Sequence, residues 1–198
     1  MSAANQYIPQ TGSNARPIAM WLFVVALSVL FVVTIFAAPL ALANGHEQIA
    51  GAIYQSFRHV CHQLPERSFF IDDHPLAVCA RCIGIYLGFA AATVAYPLVK
   101  SLRQTHTPHR KWLFIAAALL FIDWSIEFFG IAHNTHSSRF LTGALLGATA
   151  VFYVIPGLME LSLRTWGRQR ENNPIATPVK SMPANIGPSD YSAPHRRI

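Results

Sequence analysis

Apolar and polar residues do not alternate along this chain; they fall in blocks. Apolar stretches at 17–43, 79–99, 112–132 and 140–159 are separated by polar segments. Each is close to the ~20 residues that a helix, rising ~1.5 Å per residue, needs to cross a hydrocarbon core. No water is there to satisfy the backbone, so the stretches read as helices rather than strands. The pattern predicts an all-α fold, a four-helix transmembrane bundle forming one membrane domain over residues 17–161. A short tail, 1–16, precedes it. Residues 162–198 carry charge and prolines without apolar periodicity, and are expected to be disordered.

Between the first two stretches, Ile49, Ile53, Phe57 and Val60 recur at helical spacing, with Gln48, Gln55, His59 and His62 on another face. This predicts a short amphipathic helix lying on the membrane surface. Pro65 stops it, and the residues from Glu66 to Leu76 read as a loop. Ala41-Leu42-Ala43 ahead of Asn44 has the small-x-small form of a signal-peptidase site. The apolar core before it is longer than the ~7–15 residues of a signal peptide, so the reading is a retained helix.

Composition agrees with a membrane protein. Hydrophobic residues make up 53% and charged residues 12%, against about 25% charged in soluble domains. Charge also sets an orientation. Eleven of the fifteen Lys and Arg fall in the N-terminal tail, the loop between the second and third stretches, and the C-terminal tail. Only Arg58, Arg67, Arg81 and Arg139 fall on the opposite side. The positive-inside rule then places both termini in the cytoplasm of an inner (plasma) membrane. The basic balance reflects topology and anionic headgroups; no aromatic-interleaved basic stripe points to nucleic acid. The lipid bilayer is the partner implied, and no protein partner is.

That orientation puts all the chain's cysteines outside, in an oxidising compartment where free thiols are at risk. Cys61 is followed by His62, and Cys79 and Cys82 form a Cys-x-x-Cys pair where the second apolar stretch begins. Three thiolates and one imidazole, His62 or its competitor His59, suit a closed tetrahedral zinc site, or one for another divalent metal. The sulfur atoms should then lie within ~4 Å of one another. Such a site can handle metal, or act as a non-catalytic zinc staple in a membrane scaffold. Two other readings stay open: a disulfide from Cys61 to one partner, and a membrane thiol-disulfide oxidoreductase passing electrons from the Cys79/Cys82 pair to quinone. The odd cysteine count argues against a two-disulfide relay. No reaction is implied.

A second constellation lies deeper. Asp123 and Glu127 are four residues apart, hence on one helix face. Carboxylates at membrane depth are costly and by default mark function. Arg139, at the outer start of the fourth stretch, is the available counter-ion. Gly84/Gly88 and Gly143/Gly147 are small-xxx-small pairs suited to close helix packing.

The runs Cys61-His62-Gln63-Leu64-Pro65-Glu66-Arg67-Ser68-Phe69-Phe70 and Val78-Cys79-Ala80-Arg81-Cys82-Ile83-Gly84-Ile85-Tyr86-Leu87-Gly88 resemble the signature of an uncharacterised prokaryotic membrane family, domain of unknown function 2085. The resemblance continues through Asp123 and Ser138-Arg139-Phe140-Leu141-Thr142-Gly143 to Gly147. The chain departs from the family pattern at Trp124, where a glycine is expected, and at Glu127, where a glutamine is. The resemblance implies a membrane protein with an outer Cys/His motif, and supplies no activity.

Overall fold

The apolar blocks become helices. The computed structural model describes residues 15–102 and 106–172, with side chains over 17–102 and 106–161. Helix α1 spans Ala15–Ala43, α2 Glu47–Phe57, α3 Ala80–Val99, α4 Lys111–Phe128 and α5 His136–Asn172. The predominantly helical expectation is met. Among the described residues, three helices are long and apolar enough to cross a membrane: Pro17–Ala43, Ala80–Val99 and His136–Leu161. Their outward faces carry large apolar side chains, among them Leu22, Phe23, Leu30, Leu98 and Leu141. Water-facing helices do not keep such faces exposed, and lipid-facing ones do.

α4 differs from the other long helices. Its 18 residues are uncharged apart from Lys111 at its start and Asp123 and Glu127 in its second half, which is more charge than a span usually tolerates. The expected bundle of four spans therefore has three members on length and apolarity, with α4 set apart by its charges. α5 runs on to Asn172, beyond the boundary at 161 where regular structure was expected to stop. Residues 1–14 and 173–198, including most of both expected tails, lie outside the described residues.

α3 and α5 touch backbone to backbone. A Cβ added at Gly84 would run into the carbonyl oxygen of Phe140, and one at Gly88 into that of Ala144. The approach is reciprocal, since Gly143 abuts the Arg81 carbonyl and Gly147 that of Ile85. Small residues one turn apart on both helices are what permit this approach. α1 lies across α3, where Trp21 Nε1 donates to the Thr93 carbonyl at 2.8 Å. At that end Tyr96, Val151, Ile155 and Met159 form one buried cluster.

The other end is closed by the segment between α1 and α3. α2 packs on α1, burying Ala50 and Phe57 and half-burying Ile53. Ile49 and Val60, expected on the same apolar face, are 58% and 54% exposed. The helix ends at Phe57, well before Pro65, so Val60 leaves the helical register and the buried row continues instead to Cys61. The expected loop is partly ordered: a 3-10 turn covers Pro65–Arg67, and β1 (Phe70–Ile71) pairs antiparallel with β2 (His74–Pro75). The two turn residues, Asp72 and Asp73, have φ of 47° and 62°, the left-handed pair that closes a two-residue hairpin with the twist of its strands. Tyr54 pins the hairpin by donating its hydroxyl to the Pro75 carbonyl at 2.5 Å. Ile35 and Ala38 of α1, Phe57, Cys61, Leu76, Ala77, Val78 and Ile83 make the core beneath it.

Candidate metal centre

Cys61 sits four residues past Phe57, whose carbonyl accepts its N–H at 3.0 Å. The chain then reverses at Gln63, which takes φ of 53°. The reversal lets the Gln63 N–H donate to Cys61 Sγ at 3.5 Å. From the far side of the loop, the Cys79 N–H donates to the same sulfur at 3.2 Å. Backbone N–H groups aimed at a sulfur offset the charge of a metal-bound thiolate and fix its direction.

The Gln63 side chain braces the two strands of this arrangement. Its amide donates to the carbonyls of Tyr54 and Ala77, each at 2.8 Å. One side chain thus ties α2 to the segment that delivers Cys79. Cys79 is the residue capping α3, and Cys82 lies one turn on, with the two sulfur atoms 3.5 Å apart. All three Sγ atoms lie within 4.8 Å of one another, and all are free thiols. A tetrahedral ion bonded at ~2.3 Å spaces its sulfurs at about 3.8 Å, so small side-chain rotations bring this set to metal-binding geometry. Cys61 is buried and the other two are half-buried. The Cys79 thiol is held far below the usual thiol range, first by its hydrogen bond with Cys61, then by that with Cys82. Backbone N–H groups of Arg81 and Cys82, at the start of α3, act in the same direction.

The structure brings together Cys61, Cys79 and Cys82, and among the described residues no imidazole or carboxylate joins them. His62 and His59 are both exposed. His62 is next to Cys61, but the turn at Gln63 carries its side chain outward.

The carboxylates lie close to this centre and each is paired. Arg81 Nη2 donates to Asp123 Oδ2 at 2.5 Å, with 16% and 9% of the two side chains exposed. Arg139 Nη2 donates to Glu127 Oε1, and Arg67 lies 3.4 Å from the same oxygen. The Nε atoms of Arg81 and Arg139 are buried without a hydrogen-bond partner. The side chain of Asn134 donates to the Asp123 carbonyl, tying the α4–α5 connection to the same point. Arg139 was foreseen as a counter-ion from its position at the head of α5. Arg81 and Arg67 were not: Arg81 looks, from its place between two cysteines, like a charge meant for the thiolates. The signal available was Asp123 itself, since a buried carboxylate calls for a cation at its own depth. Trp124, 40% exposed, stacks on Phe128 with ring centroids 4.8 Å apart.

Fold and site together define a helical membrane protein with a three-cysteine cluster at one end of its bundle. The chain belongs to the family described as predicted membrane protein, domain of unknown function 2085, whose pattern matches residues 61–153. The match opens on Cys61 and takes in Cys79, Cys82, Asp123, Glu127 and Arg139. An uncharacterised protein of Methanocaldococcus jannaschii is 35% identical over 146 residues, covering 71% of this chain and 94% of the relative. An uncharacterised protein of Methanothermobacter thermautotrophicus is 34% identical over 91 residues, covering 46% of this chain and 80% of that protein. No solved structure matches the chain.

Proposed function

We propose that this is a four-span membrane protein with both termini in the cytoplasm, whose Cys61, Cys79 and Cys82 bind one divalent metal ion, zinc by donor chemistry, on the extracytoplasmic side. The observation that carries the reading is the convergence of three sulfurs from two separate chain segments within 4.8 Å. Thiolates favour soft and borderline ions. His62 takes the fourth place by swinging its exposed imidazole over the neighbouring Cys61. The ion then joins the segment after α2 to the start of α3.

Four spans are favoured because the charges that set α4 apart are paired: Asp123 with Arg81, Glu127 with Arg139 and Arg67. Lys111 stands at the helix end, where a long side chain can reach headgroups. The orientation rests on the uneven distribution of Lys and Arg.

Elemental analysis of detergent-purified protein tests the reading. About one zinc per chain, lost in Cys79→Ser, supports it. The second reading, a quinone-linked thiol oxidoreductase, is favoured by the 3.5 Å approach of the Cys79 and Cys82 sulfurs. It is opposed by the third thiol lying in the same cluster rather than in a separate relay. A metal-free protein with a Cys79–Cys82 disulfide that titrates against quinone would replace the metal reading.

A further inference from the structure

Arg81 belongs to two places at once. Its main chain lies between Cys79 and Cys82 and is part of the turn that sets two of the sulfurs. Its side chain leaves that turn and ends on Asp123 of α4, 2.5 Å away.

α4 has few other anchors. Of its residues only Ala116 and Asp123 are buried, while Phe114, Phe121, Ile122 and Phe128 are all more than half exposed. The half of α4 nearest the cysteines is held by charge: Asp123 on Arg81, and Glu127 on Arg139 and Arg67. Separating a largely buried ion pair strands a charge with little solvent to take it up, which is strongly unfavourable. The Cys79–Cys82 turn and this half of α4 are therefore constrained to move together.

We infer that Asp123 and Arg81 are positioning residues of the metal centre. Asp123 holds Arg81, Arg81 holds the turn, and the turn presents Cys79 and Cys82 in the arrangement that receives the ion. The inference rests on the metal reading above and adds to it a direction of control. Coupling of this kind is reciprocal: the factor by which losing the pair weakens metal binding equals the factor by which bound metal strengthens the pair. Metal occupancy thereby fixes the position of α4. The other charges at this end of α4 are Glu127, one turn on from Asp123, and the Arg139 and Arg67 that pair with it, and none of them reaches the sulfurs through the chain as Arg81 does.

The test uses the full chain in lipid nanodiscs, with Co²⁺ and Cd²⁺ as probes. Asp123→Asn should weaken Co²⁺ binding about tenfold, within the usual ~5–150-fold range of coupling between sites. It should also shift the sulfur-to-cobalt charge-transfer bands, and Asp123→Glu should restore most of both. In the unmutated protein, where no variant has to fold, Cd²⁺ should slow amide exchange over residues 123–128 as well as around the cysteines. Asp123→Asn binding Co²⁺ with unchanged affinity and spectrum would overturn the inference. So would Cd²⁺ protecting the cysteine segments while leaving 123–128 unaltered. If the unmutated protein binds neither ion, the metal reading falls together with this one; if it binds both without effect on α4, this one alone falls.

Discussion

Gly147 of α5 faces the carbonyl oxygen of Ile85 in α3 with no space between them for a methyl group. The contact is backbone on backbone, so neither side has a flexible end that can give way. Because α3 begins at the cysteine pair and α5 carries Arg139, this line of contact sets the spacing of the site.

Gly147→Ala is accordingly expected to force the two helices apart. Overpacking a tight contact costs about 1–3 kcal/mol, and unfolding in a denaturing detergent titration should report a loss of that size. Gly51→Ala, in α2 with open space around its Cβ position, should leave stability unchanged or raise it slightly.

Glu127 has two arginine partners of very different exposure. Arg139 has 8% of its side chain exposed and Arg67 44%. Glu127→Gln should cost about 3–5 kcal/mol, because it leaves a buried guanidinium without its charge partner. Arg67→Ala should cost no more than about 1 kcal/mol, as solvent-screened pairs do. Equal effects in the same unfolding assay would show that burial does not decide between them.

His62 and the cysteines should separate in metal-binding assays. Cys61→Ser is expected to abolish stoichiometric zinc binding, because this sulfur already gathers two N–H donors. His62→Ala is expected to keep zinc bound through the three sulfurs at an affinity weaker by at least about tenfold, since even groups that only support a ligand act on that scale. Competition with a chromogenic chelator distinguishes the two. Full affinity in His62→Ala would remove the imidazole from the site.

The proposed orientation predicts accessible thiols on the outer face. After mild reduction and chelation, a membrane-impermeant maleimide applied to intact cells should label the cysteines. Labelling that needs lysis would reverse the topology.

The sequence carried some of this structure and hid the rest for physical reasons. The three long apolar helices, Pro17–Ala43, Ala80–Val99 and His136–Leu161, were legible because a span needs a length and a composition at once, whereas the stretch at 112–132 forms a helix whose charges set it apart. The cysteine cluster was legible because its spacing and residue types admit few chemistries. α2 misled by its outer residues: Ile49 and Val60 have the period of an apolar face but not its burial, Val60 because the helix ends at Phe57 before reaching it. The hairpin was missed because Asp72-Asp73 lacks the glycine that usually marks such a turn; aspartate can hold positive φ, but less readily. The partner of Asp123 was missed because helical period gives a residue's direction on its own helix. It does not give the neighbouring helix that side chain meets.

The amide of Gln63 has a consequence for how the site fills. It links the carbonyls of Tyr54 and Ala77, so the two segments that bring Cys61 and Cys79 together are joined by protein alone. In zinc-finger domains the ion itself drives folding, and stripping it unfolds the chain. Here the Gln63 bonds join the two segments without an ion, so on the metal reading proposed above, stripping the ion should leave both segments folded and in place.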